Sequence, residues 1–110
     1  DWGFINNKGE FVLEPIYARA GSFSEGLAPV NIGGSKNGKW GFINKDGEIV
    51  IEAKFDHAFG FSEGLAPVHV GDENTGKWGY IDKTGTFVIE PQFGAANEFR
   101  EGLAPASIEK

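Results

Sequence analysis

Trp-Gly-aromatic-Ile occurs three times, as Trp2-Gly3-Phe4-Ile5, Trp40-Gly41-Phe42-Ile43 and Trp78-Gly79-Tyr80-Ile81, each copy 38 residues after the last. A second phrase keeps the same step without insertion or deletion: Glu25-Gly26-Leu27-Ala28-Pro29, Glu63-Gly64-Leu65-Ala66-Pro67 and Glu101-Gly102-Leu103-Ala104-Pro105. A fixed period of roughly 20–50 residues marks a repeat architecture. The chain therefore reads as one repeat domain over residues 1–110, with units 1–38, 39–76 and 77–110.

Within each unit the signals are those of short strands. Trp2 to Asn6 is rich in aromatic and β-branched residues. A turn follows, ending in Gly9, Gly47 or Gly85, where the backbone needs φ > 0. Phe11-Val12-Leu13, Ile49-Val50-Ile51 and Phe87-Val88-Ile89 do not alternate apolar with polar, which predicts strands covered on both faces. Pro15, Ala53 and Pro91 are expected to end them. The next segment, 16–24 and its counterparts, reads as a connecting loop, with room for one helical turn. Two rings pin it: Tyr17 and Phe23, Phe55 and Phe61, Phe93 and Phe99. Leu27 to Ile32, Leu65 to Val70 and Leu103 to Ile108 then read as edge or bulged strands, because each carries a proline.

The expected fold is all-β: a tandem repeat of three-stranded antiparallel meanders, such as Leu27–Ile32, Trp40–Asn44 and Ile49–Ile51. The C-terminal strand could pair with the N-terminal hairpin and close a three-fold ring. Otherwise the array is open; nothing in the sequence sets the curvature, and the open form is preferred. Gly3, Gly41 and Gly79 would let a ring or backbone approach closely.

The residues that invite a functional reading also have a structural one. Trp2, Trp40 and Trp78 could form a platform for sugar rings, or each could fill its unit's core. A buried Trp removes about 150–250 Å² from water, worth at most about 4–6 kcal/mol, so the core reading is preferred. Glu25, Glu63 and Glu101, like Glu14, Glu52 and Glu90, recur with the repeat, whereas a catalytic carboxylate pair is singular. They are expected to accept hydrogen bonds from backbone N–H groups at turns and strand ends. His57 and His69 have no histidine counterparts and read as surface residues, because a metal site needs three or four converging ligands. Asp72-Glu73-Asn74 lacks the ligand spacing of a calcium loop and reads as a solvated acidic turn. Serines 22, 24, 35, 62 and 107 sit in no nucleophile elbow, and no phosphate-cradling glycine loop is present. Cysteine is absent, which excludes disulfides and thiolate metal sites. The net charge of −6 disfavours nucleic acid and anionic membrane surfaces, and no apolar run is long enough to insert into a bilayer.

The run Lys39-Trp40-Gly41-Phe42-Ile43-Asn44-Lys45-Asp46-Gly47, followed by Phe61-Ser62-Glu63-Gly64-Leu65-Ala66-Pro67-Val68, closely resembles the bacterial WG-repeat family, also called KWG repeats. The resemblance covers the whole chain, one copy per period. It implies an all-β tandem repeat, usually part of longer arrays in bacterial proteins whose roles are mostly unassigned. Many of those proteins look exported or envelope-associated, which puts this chain there ahead of the cytoplasm. The family offers no catalytic residues to carry over. Departures are small: Asp1 stands for Lys, Tyr80 for Phe, Ala53 for Pro and Arg100 for Ser.

These readings together predict a non-enzymatic interaction or scaffold module without cofactor or metal. The frame is the set Trp2, Trp40, Trp78, Gly9, Gly47, Gly85, Phe23, Phe61, Phe99, Leu27, Leu65 and Leu103. The interaction surface falls on positions that vary between units, namely Arg19, Asp56, His57, Phe59 and Asn97, together with the loops 33–38 and 71–76. The expected partner is a protein. The alternatives are a glycan held by the aromatic rings, and self-assembly by strand exchange.

Overall fold

The computed structural model describes residues 1–33, 38–72 and 75–108. These form twelve strands and no helix. The first unit holds β1 (Trp2–Ile5), β2 (Phe11–Tyr17), β3 (Arg19–Ala20) and β4 (Ala28–Ile32). The second holds β5 (Lys39–Ile43), β6 (Ile49–Phe55), β7 (His57–Ala58) and β8 (Ala66–Val70). The third holds β9 (Lys77–Ile81), β10 (Phe87–Phe93), β11 (Ala95–Ala96) and β12 (Ala106–Ser107).

Sheets straddle units. β3-β4-β5-β6 and β7-β8-β9-β10 are antiparallel four-stranded sheets, each joining the second half of one unit to the hairpin of the next. The expected three-stranded meander is present with one strand added, the two-residue β3 or β7. Sheets β1-β2 and β11-β12 are the two halves of the same pattern. β12 pairs with β11 and not with β1, so the array is open rather than a ring.

The hairpin turns form as expected. Asn44 Oδ1 accepts the N–H groups of Asp46 and Glu48, and Gly47 follows at φ 86°. Asn6 and Asp82 repeat the arrangement, with Gly9 and Gly85 also at positive φ.

The expected end of β2, β6 and β10 at Pro15, Ala53 and Pro91 is wrong. Each strand kinks there and runs on to Tyr17, Phe55 or Phe93. Between the pairs Trp40↔Phe55 and Phe42↔Ile51, β6 spends two more residues than β5, which is a bulge. The bulge folds its backbone over Gly41, where a Cβ would lie 2.6 Å from the Ile51 carbonyl oxygen and 2.8 Å from the Ala53 nitrogen. Gly3 and Gly79 face the same crowding from Leu13 and Ile89. The close approach expected of these glycines is thus made by backbone. A proline is tolerated at such a bulge on a sheet edge, because no ladder partner needs its N–H.

Three further expectations need correction. Segment 16–24 is not a loop with a helical turn: its first residues finish β2, and Arg19–Ala20 add β3. The pinning rings are real, however. Phe23 packs edge-on to Phe4, Phe61 to Phe42 and Phe99 to Tyr80, with centroids 4.8, 5.0 and 4.9 Å apart. The proline-bearing strands β4 and β8 are interior, not edge strands. In a strand, a residue's N and O point to the same side. The Pro29 carbonyl takes the Gly21 N–H, so its missing donor faces the place where β3 has already stopped. Finally, β2, β6 and β10 are covered on one face only. Val12, Val50 and Val88 are exposed, while Leu13, Ile51 and Ile89 turn inward.

Two core clusters repeat at the 38-residue step. Phe4, Leu13, Tyr17, Ala20, Phe23, Ala28 and Val30 gather in the first unit; Phe42, Ile51, Phe55, Ala58, Phe61, Ala66 and Val68 gather in the second. Each cluster also takes Ile43 or Ile81 from the following unit, and Leu27 of unit 1 packs into the cluster of unit 2. Burial is therefore shared across junctions.

The bulge yields a direct test. Gly41→Ala should destabilise the chain by about 2 kcal/mol or more in urea unfolding, because a methyl group there meets backbone. Gly60→Ala, whose Cβ would meet nothing closer than 3.6 Å, should stay within about 0.5 kcal/mol of the parent.

Candidate functional site

Ser24 to Leu27 is a two-residue turn, closed by hydrogen bonds in both directions between Ser24 and Leu27. Its central residues Glu25 and Gly26 lie at φ 56° and 86°. A positive φ suits Gly26 and is uncommon for a glutamate. The same conformation recurs at Glu63 and Glu101, as a two-residue turn requires of both its central residues. Two of these turns reach the next unit. The Glu25 carboxylate accepts the N–H groups of Glu63 and Gly64 at 2.7 and 3.0 Å, and Glu63 accepts that of Gly102 at 2.8 Å. Beside them Ser24 Oγ donates to the Phe61 carbonyl, and Ser62 Oγ to that of Phe99. The carboxylates at Glu25 and Glu63 accept backbone N–H groups as expected, but the donors belong to the next unit. Lys83 adds an ion pair to Glu25 at 3.6 Å, reaching from the third unit to the first.

The Gly64 N–H foremost, against the opposing effect of burial, holds the Glu25 carboxyl below its ordinary value; the Glu63 N–H and Lys83 act in the same direction. The bracket thus stabilises the fold above about pH 4.5 and is lost as pH falls through the lowered folded value.

The tryptophans do not share one environment. Trp40 is buried at 8% exposure, Trp78 is half-buried, and Trp2 is 58% exposed. The expectation that each indole fills its own unit's core therefore holds for Trp40 alone. Trp78 shows why: the residues against it come from the preceding unit. Phe59 stacks on it at 5.0 Å, and His69 and His57 lie at 5.3 and 5.8 Å. A repeated platform of bare rings is accordingly not formed, and Trp2 alone offers an open indole.

This junction gathers part of the expected interaction surface. His57 and Phe59 meet at Trp78, and His57 also lies 4.9 Å from Trp40. His69, expected to be a surface residue, joins them. It sits opposite His57 across β7 and β8, and opposite Trp78 across β8 and β9. The signal for it was its lack of a counterpart in the other units, the property that singles out His57. Arg19 is exposed on β3, close enough to His57 to oppose its protonation. Asp56 is engaged structurally: it pairs with Lys39 and accepts the Gly71 N–H at 2.7 Å. Burial works against its ionisation, but these partners hold its carboxyl below the usual range. Asn97 stands apart. Its carbonyl takes the Tyr80 hydroxyl at 2.7 Å, and it lines an open hollow with Glu98, Arg100, Leu103 and Pro105. At the first junction Asn31 takes the place of His69, 3% exposed, with its Oδ1 unpartnered among the described residues.

No cluster of three or more metal-ligating side chains occurs among the described residues. Glu73 and Asn74 of the expected acidic turn, and positions 34–37 of the first variable loop, lie outside those residues.

Two measurements check this geometry. Trp40→Ala should cost about 3–5 kcal/mol of stability, and Trp2→Ala about 0.5 kcal/mol or less, by chemical denaturation. Glu25→Gln should cost about 1 kcal/mol at pH 7, allowing for solvent screening, and its difference from the parent should shrink towards pH 3.

The family model described as WG containing repeat matches this chain three times, at residues 2–35, 40–73 and 78–110. Neither a curated protein nor a solved structure matches it.

Proposed function

The chain belongs to the WG-repeat family, and from that premise we propose that it is a non-enzymatic binding module, a scaffold whose specificity lies where units meet. One observation carries the reading. The frame repeats at 38 residues, while the residues set against a neighbouring tryptophan change from unit to unit. At the second junction these are His57, Phe59 and His69. Their counterparts in the first unit are Arg19, Gly21 and Asn31. A constant frame carrying variable residues is how stacked repeats present a binding surface.

The titratable groups support a binding module over a catalyst, because the displaced carboxyls and the displaced Tyr80 hydroxyl already serve the fold. Glu25 brackets two units, Asp56 holds Lys39 and Gly71, Asp82 closes a turn, and the Tyr80 hydroxyl caps Asn97. A protein partner suits the mixture of the exposed Arg19 with the half-buried His57, Phe59 and Trp78, since aromatic residues and arginine dominate interface energetics. The net charge of −6 disfavours a nucleic acid.

A second reading, self-association by strand pairing, is favoured by a specific contrast. Leu27 is 7% exposed against unit 2, whereas Leu103 is 78% exposed and β12 has one neighbour. A unit of the same kind fits that edge. Against it, Arg100 stands where Ser24 and Ser62 make their junction bonds.

The test is selection of a displayed peptide library against the intact chain, followed by binding to Phe59→Ala and Arg19→Ala variants that retain the parent circular dichroism. Peptides selected on this face should bind at least about tenfold more weakly to one of the variants. Equal binding to both places the site elsewhere and overturns the reading. A library yielding no binders, together with reversible oligomers in sedimentation, would favour self-association.

A further inference from the structure

The residues that set unit 2 apart converge on a single indole. His57, Phe59 and His69 stand where unit 3 has Ala95, Asn97 and Ser107, and all three close on Trp78 of the following unit. His57 and His69 are register partners, so their side chains leave the sheet on one face. His57 is also wedged against Trp40 of its own unit. We propose that His57, set against His69 and Trp78, forms an acid-sensitive latch between the second and third units, closed while its imidazole is neutral and loosened when it takes a proton. The latch is independent of any binding partner and goes beyond the proposed function.

Among the described residues, little stands ready to balance an added proton on His57. From β3, Arg19 contributes further positive charge. From β5, Lys39 contributes another, and it is paired with Asp56. Asp56 is the carboxylate within electrostatic reach of His69, but Lys39 and the Gly71 N–H already occupy its oxygens. One oxygen of the Asp72 carboxylate, beyond β8, accepts the N–H and hydroxyl of Thr75. From β9, the contact is the uncharged ring of Trp78. Both indoles lie within cation–π range of His57, its ring tilted at 68° to Trp78 and 50° to Trp40, so they offset part of the cost of a buried charge but not its repulsion by Arg19. Gly76 closes the other side: a Cβ there would lie 2.3 Å from His69 Cε1, so that imidazole has little room to swing away.

The sign follows from these contacts. Burial first, then the charges of His69 and Arg19, hold His57 below its ordinary value. An unfolded histidine takes its proton near pH 6.5, before the folded one does. The junction is therefore at full strength above about pH 6.5, and that stabilisation is lost as pH falls through the lowered folded value. The Glu25 bracket stays ionised in this window, because its carboxyl titrates below 4.5.

Backbone amide exchange of the intact chain at pH 7.5 and 5.5, corrected for intrinsic rates, is the test, together with an NMR titration of His57 Cε1. Acidification should reduce protection in β9 and β10 relative to β4 and β5, with the His57 midpoint below 6.5. The double variant His57→Gln, His69→Gln should show no such loss. An unchanged protection ratio in the parent, a loss that persists in the double variant, or a His57 midpoint at or above 6.5 would each overturn the latch. Should the double variant fail to fold, the parent's protection ratio and titration decide the matter.

Discussion

A carboxylate that leaves its own unit to bind the amides of the next sets the step of this array. Glu25 does this for unit 2, and Glu63 for unit 3. The acceptor can reach only because its own backbone takes a positive φ, and the donors point the right way only because theirs does too. Each turn is thus shaped both to give and to receive. The conformation is uncommon for glutamate, and all three turns hold it because a two-residue turn needs positive φ at both central residues. Sheet sharing and core sharing depend on this alignment, since Ile43 and Leu27 cross the same junction in opposite directions.

The tryptophans take their character from the junction rather than from their strands. The same Trp-Gly dipeptide gives a buried ring at 40 and an open one at 2. At 40 the ring joins the core cluster of its own unit, and at 78 it lies against Phe59 and His69 of the unit before.

Much of the fold was legible in the sequence: the period, the hairpins, the positive-φ glycines and the pinning rings all stand where their local chemistry places them. What was misread concerns relations between units. When each strand is read alone, Pro15 looks like a strand end, and Pro29 and Pro67 look like marks of an edge or bulged strand. In the sheet, Pro15 sits in a bulge on an edge, while Pro29 and Pro67 face beyond the ends of β3 and β7, where no donor is needed. Val12, Val50 and Val88 look like core because the run around them does not alternate, yet a sheet edge covers only one side. His69 looked like surface because its contact with Trp78 depends on the register of β8 against β9, which its own unit does not reveal.

The ion pair between Lys83 and Glu25 skips a unit, so the chain contacts itself two steps away as well as one. Every glutamate at that position is alike, at 25, 63 and 101, and position 45 also carries a lysine. Lys83 therefore closes over two turns at once, and the stacking of the Glu-Gly turns is felt two steps along the array.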